Sequence, residues 1–474
     1  MIPKVVSTPI AAPWAVPRRA APRRVSPDVL AAILPGPGRD RLAAGEALVV
    51  TTGQQPGLFT GPLYSIYKAL SAIALAARLE RERGVPVVPV FWVAGDDHDF
   101  AEANHASVLD AAGNLAKIVL RVRAAEEPQR PMFREPCGPE ILTALDALRT
   151  ATPETEFKGA MLAWLSAAYR PGVSLADAFA DALHALLGPR GLAVFRAHDV
   201  AAKRASAPWL VRALGLTLAD GLSPVLVEGA LGRDRLRSES GGAVSRRSGE
   251  HFGTAEVERV AATDPQRLSP NVLLRPAVEA ALFPTVAYAA GPGELAYLPD
   301  AAPCYAALGV EAQTPVPRWS GVLLEPRVEK IFDRYHLDLA SFDTPVGVIE
   351  GRLVRDALPE ETIRLLAEMR ERITSDYDRL ARAAAAIDPT LERTVQSARN
   401  AALGGTHEIE KKLVASGKRS QETLTGQIAR ARAAVRPDGA AQERVLTVAS
   451  FLIRYGPEMI DAVAEEVARW TEAR

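Results

Sequence analysis

Asp96, Asp97, His98, Asp99 and Glu102 crowd four carboxylates and one imidazole into seven residues. Three chemistries suit that composition. Carboxylates and imidazole are ligands for Mg, Mn or Zn. A histidine whose tautomer is fixed by a carboxylate can act as acid or base. Asp97 or Asp99 can instead cap a helix whose dipole Glu102 complements. His105 stands seven residues after His98 and reads as a solvated histidine.

Residues 48–68, LVVTTGQQPGLFTGPLYSIYK, offer a second kind of chemistry. Gly53, Gly57 and Gly61 follow a β-branched run and precede a helical pattern. A strand, glycine-rich loop and helix in that order can turn backbone N–H groups toward an anion. The spacing is neither G-x-G-x-x-G nor G-x-x-x-x-G-K-[ST], which excludes a dinucleotide fingerprint and a P-loop. Gln54 and Gln55 bring uncharged amides to the turn. The plain alternative is an ordinary tight connection. A third loop, Gly291-Pro292-Gly293-Glu294, can expose N–H groups to an anion and aim Glu294 at an amine, or simply open a helix with Glu294 in its first turn. Lys68, Arg275 and Arg318 stand near these loops and suit phosphate or carboxylate. Cys304 falls in an apolar helix. Cys137, in Pro-Cys-Gly-Pro, reads as an exposed loop thiol with no base beside it.

Each loop needs a strand to hold it. Residues 85–93 (VPVVPVFWV) are apolar throughout, as a strand buried on both faces should be. Residues 191–196 and 284–289 give further core strands, and 316–320 a last strand and loop. A helix is expected from the opening turn to Arg83, stopped by Gly84. Ser174 and Asp177 cap another over 175–187. The alternation predicts an α/β, doubly wound parallel sheet. If the Gly53 and Gly291 loops flank its topological switch point, they wall one pocket. Residues 106–122 read as a hairpin. The turn-rich stretch 222–266, including Ser238 to Gly242, reads as a small hairpin excursion. One helix is expected over 295–308. From about 359 the pattern is helical, with Leu366, Ile373, Leu380 and Ile387 at heptad spacing and Pro389 between two arms. The last helices are expected over 421–435 and 442–468.

The chain has 474 residues, enough for two or three domains, with 48% hydrophobic and 24% charged residues, in the globular range. A net charge of −1 points to no bulk attraction for nucleic acid or membrane. Two distant cysteines argue against a disulfide scaffold and for a reducing, cytoplasmic setting. The proline- and arginine-rich start lacks the apolar core of a signal peptide. The expected division is an extended arm and first helix over 1–46, a core over 47–355 with insertions at about 104–170 and 222–268, and a helical region over 356–474.

Several longer motifs carry a family resemblance. TGQQPGLFTGPLYSIYKALSAIALA, VPVFWVAGDDHDFAEANH, NVLLRP, PTVAYAAGPGELAYL, PRWS and QERVLTVASFLIRYG resemble, in the same order, the cysteine ligase family of bacillithiol biosynthesis. The resemblance runs from about Ala47 to near the C-terminus. It implies a Rossmann-like core shaped like class I aminoacyl-tRNA synthetases and a C-terminal α-helical coiled coil supporting a homodimer. It implies addition of cysteine to glucosaminyl-malate. The chain departs from the synthetases in having Phe59-Thr60-Gly61-Pro62 where a HIGH tetrad would stand, and no KMSKS run near Arg318.

Amide formation from a free carboxylate requires activation, so ATP is the expected cofactor, with Mg an optional companion. Asp97, His98 and Asp99 are the catalytic candidates. Gly53, Gln54, Gln55, Thr60, Gly61, Tyr64, Lys68, Asn271, Arg275, Gly291, Gly293, Glu294, Tyr297 and Arg318 are the binding candidates, and no residue is assigned to a metal. The competing readings are a metal-dependent hydrolase centred on Asp96 to Glu102 and a non-catalytic coiled-coil partner of a thiol pathway.

Overall fold

A computed structural model describes residues 2–239, 242–420 and 422–474. Ser240 and Gly241, in the turn-rich stretch, and Gln421, at the expected start of a late helix, lie outside the described residues.

The β-branched run before Gly53 forms strand β1 (Leu48–Gln54). Strands β2 (Val87–Val93), β3 (Ala193–Arg196), β4 (Thr285–Ala290) and β5 (Thr314–Pro317) join it. They lie in the order β3-β2-β1-β4-β5, and every pairing is parallel. Both faces of such a sheet are covered, which explains why β2 is buried at all seven positions. Pro89 falls one residue before β2 begins to pair with β3 at Val90, where a missing donor is tolerated. The winding runs from β1 outward to β3, then returns to the far side of β1 for β4 and β5. The reversal lies between β1 and β4, so the loops after Gln54 and Ala290 open on one crevice. This is the doubly wound sheet expected.

Helix α1 (Leu63–Arg83) connects β1 to β2 and buries Leu63, Ile66, Leu70, Leu75 and Leu79. Each such side chain contributes about 1.5–3 kcal/mol on burial. Gly84 ends the helix at φ 67°, its N–H donating to the Glu80 carbonyl at 2.9 Å. The expected hairpin is present as strands His105–Leu109 and Leu115–Val119.

Four expectations change. Residues 222–268 carry more than a hairpin: strands Val225–Gly229, Gly232–Glu239, Gly242–Ser245, His251–Gly253 and Leu268–Pro270 make a five-stranded antiparallel sheet. The helix expected over 295–308 breaks into Pro292–Tyr297 and Ala302–Leu308, because Pro299 and Pro303 cannot continue an α ladder. The helix expected over 442–468 becomes Gln442–Val445, Ala449–Tyr455 and Glu458–Glu472, with Gly456 at φ 76° closing the second. The N-terminal arm is a strand in part, Lys4–Ser7 pairing antiparallel with Gly321–Leu324.

The chain divides into two compact units, residues 1–325 with 440–474, and residues 326–439. The segment after Gly439 thus belongs to the sheet-bearing unit. In the second unit, helices Glu360–Ile387 and Leu391–Ser420 pair antiparallel, with Arg399 bonding Asp378 at 2.6 Å and Arg370 bonding Glu410 at 2.5 Å. The heptad residues are not buried alike. Leu366 is buried, whereas Leu380 and Ile387 are 54% and 83% exposed.

Candidate functional site

A cavity of about 510 Å³ opens at the carboxyl ends of the sheet strands, a volume suited to a small molecule. Its walls contain Asp97, His98, Gly53, Gln54, Gln55, Tyr64, Lys68, Asn271, Arg275, Gly291, Gly293, Glu294, Tyr297 and Arg318. Residues as far apart in the chain as Gly53 and Arg444 therefore converge. Asp99, Thr60 and Gly61 stand outside the lining.

Thr60 and Gly61 are excluded because their turn spends its donors internally. Phe59, Thr60 and Gly61 take positive φ values of 50°, 72° and 65° in succession. Two of these are not glycine, so the turn is strained and must be held from outside. The Tyr169 hydroxyl holds it, accepting from the Thr60 N–H at 2.8 Å and donating to the Gly57 carbonyl at 2.7 Å. Thr447 donates to the Phe59 carbonyl, and the Gly61 N–H donates to Leu58. No N–H of Thr60 or Gly61 is left for an anion. The turn is a fixture that aims α1. Gly53 is set differently: a Cβ there would come within 2.8 Å of the Trp92 carbonyl, so the close approach of β2 demands glycine.

Helix α1 carries Tyr64 and Lys68 to the floor. Lys68 is buried, and its Nζ donates to Glu294 Oε2 at 2.7 Å, the Gly53 carbonyl at 2.8 Å and Gln54 Oε1 at 3.0 Å. Those are all three donors of an ammonium group. Glu294 is the hub of this floor. Its Oε2 also accepts from the Gly291 N–H at 2.8 Å, and its Oε1 accepts from the Tyr288 hydroxyl at 2.6 Å. Glu294 thus stands in the first turn of its helix and caps it, and among the described residues its Oε1 accepts a hydrogen bond from Tyr288 alone. Burial pushes the Glu294 carboxyl up, but the Lys68 charge and these bonds outweigh burial and hold it below the usual range. Burial draws the Lys68 ammonium down, opposed by Glu294. The two directions differ, the carboxyl's favouring the ion pair and the ammonium's opposing it, and the geometry decides for the charged pair, because Lys68 Nζ has three acceptors.

The network continues inward. Arg275 donates to the Tyr288 hydroxyl at 3.1 Å and to Glu279 Oε2 at 2.9 Å. Glu279 is fully buried and also accepts from Thr51 and from Gln313 at 3.2 Å. Burial raises its carboxyl to about 7, against the pull of Arg275. Asn271 turns its carbonyl oxygen onto the N–H groups of Leu273 and Leu274, shaping the entry to the Arg275–Leu282 helix. Sequence reading missed Tyr288 and Glu279. Tyr288 stood in view inside its strand motif, but only the register of β4 shows that it faces Glu294.

The acidic cluster follows β2 and divides its tasks. Asp96 pairs with the buried Lys203, whose Nζ lies 2.6 Å away. Asp97 accepts from the Asp99 N–H at 3.0 Å, Asp99 caps the Phe100–Ala103 helix through the Glu102 N–H, and Glu102 accepts from Gln55 at 3.1 Å. Among the described residues no three His, Cys, Asp or Glu side chains gather as a metal would require. His98 Nδ1 lies 3.3 Å from Arg233 Nη1. Arginine only donates, so Nδ1 is the acceptor and Nε2 carries the ring proton. His98 therefore offers a hydrogen-bond donor at Nε2, where a base was expected. Burial, with the Arg233 charge, lowers its pKa and keeps the ring neutral near pH 7. Arg233 comes from the second sheet, where nothing local announced it.

Arg318 is less free than expected. It makes a two-point ion pair with Glu443 at 2.6 and 2.9 Å and donates to the Trp319 carbonyl. Cys137, expected to be exposed, is fully buried, and burial raises its thiol to about 12, which makes it inert. Among the described residues no helix is long and apolar enough to cross a membrane.

Residues 39–218 and 226–319 match the family described as bacillithiol biosynthesis BshC, N-terminal Rossmann-like domain, and residues 321–471 match its C-terminal coiled-coil domain. Relatives named "Putative cysteine ligase BshC" include one from Salinibacter ruber, 31% identical over 90% of this chain and 82% of its own. One from Symbiobacterium thermophilum is 30% identical over 90% of this chain and 83% of its own. One from Bacillus licheniformis is 26% identical over 89% of this chain and 83% of its own.

Proposed function

This chain belongs to the bacillithiol biosynthesis BshC family, and from that premise we propose that its crevice joins L-cysteine to glucosaminyl-malate through an amide bond at the expense of ATP. The observation that carries the reading is the convergence of the loops after β1, β2 and β4 on one cavity at the switch point, floored by the Lys68–Glu294–Tyr288–Arg275 network.

A carboxylate is a poor electrophile, and ATP supplies the energy that makes the cysteine carboxyl reactive. The residues here do the rest. Glu294 Oε1 accepts one N–H of the cysteine ammonium and keeps that nitrogen protonated and out of the reaction. Lys68, held rigid by three acceptors, places a fixed positive charge beneath the oxyanion that develops at the carbonyl. Asp97 takes the proton released when the glucosamine nitrogen bonds to the carbonyl carbon, and the phosphate-bearing group leaves with the bonding electrons. His98 Nε2–H orients the sugar. Arg275 holds the anionic part of the nucleotide or the leaving group.

Purified protein incubated with ATP, cysteine and glucosaminyl-malate is expected to yield the thiol product, read by its mass. Lys68→Met, which keeps the bulk of the chain and removes the charge, is expected to lower the rate at least about 100-fold, the scale of a lost oxyanion donor. Product formation with no ATP consumed would overturn the reading.

A further inference from the structure

His198 stands two residues after β3, at the crevice end of the sheet, but does not line the cavity. It is only 4% exposed, and a buried imidazole calls for a reason. Its Nε2 lies 3.0 Å from Asp177 Oδ1. Asp177 is in the first turn of the Leu175–Leu187 helix, where its Oδ2 accepts from the Ser174 hydroxyl at 2.7 Å and Arg196 reaches Oδ1 at 3.4 Å. Burial pushes this carboxyl up, but the bonds from His198 and Ser174 and the Arg196 charge outweigh burial and bring it down to about 2. An ionised carboxylate only accepts, so His198 Nε2 carries the ring proton. The other ring nitrogen, Nδ1, is buried and has no partner among the described residues. One bond, to Asp177, therefore orients the ring.

What the ring touches gives the reason. Phe133 stacks on it, with centroids 5.7 Å apart and planes 11° from parallel. Gly95 packs against it so closely that a Cβ there would come within 2.3 Å of Nδ1 and 2.8 Å of Cγ. Only glycine fits such an approach of backbone to ring. Gly95 opens the loop that carries Asp97 and His98 into the crevice. Backbone bonds tether that loop: the Ala94 N–H donates to the Gln54 carbonyl at 3.0 Å, the Phe133 N–H to the Gly95 carbonyl at 3.0 Å, and the Met132 N–H to the Asp97 carbonyl at 2.7 Å. The side chain on which Gly95 rests is His198.

We propose that His198, oriented by Asp177, is a positioning residue: its ring sets where residues 95–98 lie and so aims the Asp97 carboxylate and the His98 Nε2–H into the crevice, a role that rests on the ligase reading for what those two groups do there. Neither His198 nor Asp177 touches the substrate. Contact passes from Ser174 to Asp177, from Asp177 to the ring, and from the ring to Gly95. A displacement of about 1 Å in groups that must meet a reacting nitrogen costs on the order of 100-fold in rate. The ring therefore acts on the chemical step, while Lys68 and Arg275, held by their own partners, keep their places.

Ring nitrogen NMR of the full-length protein, labelled at histidine, reads the loop without any reaction. In wild type His98 is expected to hold one tautomer, Nδ1 bare and Nε2 protonated, as its bond with Arg233 requires. His198→Ala is expected to let His98 exchange between tautomers, drawing its two ring-nitrogen signals together, while His407, in the other compact unit, is unmoved. His198→Gln, which keeps an N–H for Asp177 but loses the flat ring, is expected to fall between, and urea unfolding reports whether each variant is folded. If His198→Ala does not fold, His198→Gln carries the same readouts. With ATP, cysteine and glucosaminyl-malate, the variant is expected to lose at least about 10-fold in kcat with KM for ATP changed by less than about 2-fold. A folded variant whose His98 signals match wild type overturns the positioning, whether or not kcat falls. The two readings separate: if wild type forms no product and the variant still frees His98, the ligase reading falls and the positioning stands. If both form product at the same kcat, the positioning falls and the ligase stands.

Discussion

At the scale of single residues the account turns on two carboxyl groups with opposite settings. Glu294 is held charged by Lys68, Tyr288 and a backbone N–H. Removing it leaves a buried ammonium without its partner, so Glu294→Ala is expected to cost about 3–5 kcal/mol of stability, measured by urea unfolding. A cost below about 1 kcal/mol would show that Lys68 has found another partner or lost its proton. Glu279 is set the other way, its carboxyl raised by burial to about 7. Below that pH it is protonated, and the Arg275 charge is uncompensated. Above it the pair cancels. Anion affinity in the cavity is therefore expected to rise as pH falls through about 7, and Glu279→Gln to flatten that dependence between pH 6 and 8. An identical slope in the variant would remove Glu279 from the explanation. Glu279 could not be found from its surroundings in sequence, since a glutamate in an ordinary helical stretch looks solvated until Thr51 and Gln313 close over it.

At the scale of elements, the strand-turn-helix at residues 48–83 was legible because its pattern is local: β-branched run, glycines, amphipathic helix, glycine stop. What the pattern did not carry was the job of the turn. Its N–H groups look available in sequence and are consumed in the fold by Tyr169 and Leu58, the first from a helix end about a hundred residues on. Tyr169→Phe deletes the donor to Gly57 and the acceptor for Thr60 while keeping the ring edge-on to Phe59. The expected loss is about 1–3 kcal/mol, the cost of a buried backbone N–H left unsatisfied. The readout is urea unfolding. Stability equal to wild type would mean that the strained turn supports itself. The acidic cluster shows the same limit. Composition suggested metal, base or cap, and the fold gives Asp96 and His98 separate partners, because Lys203 and Arg233 arrive from elements far along the chain.

At the scale of the molecule, the alternation of strands and helices made the doubly wound sheet and its switch point readable, and with them the meeting of the Gly53 and Gly291 loops. The return of residues 440–474 to the sheet-bearing unit was not readable. A helical pattern after a helical pattern looks like one arm, and only the packing of Gln442 on Leu323 and of Thr447 on Phe59 shows otherwise. Since Leu323 and Gln442 are in contact, a short Gly-Ser linker from Glu325 to Ala440 is expected to replace residues 326–439 and leave a folded unit. Truncation after Gly439 is expected to unfold that unit, as circular dichroism would report. A homodimer through the helical region, as the family resemblance implies, is proposed to bury the exposed Leu380 and Ile387. Leu380→Glu with Ile387→Glu is expected to halve the sedimenting mass of a dimer, and an unchanged mass would place self-association elsewhere. The most direct test of the central claim is a crystal structure of the chain with glucosaminyl-malate bound. The expected result is the ligand in the crevice between the Gly53 and Gly291 loops with its amine toward Asp97; a ligand bound elsewhere with that crevice empty would contradict it.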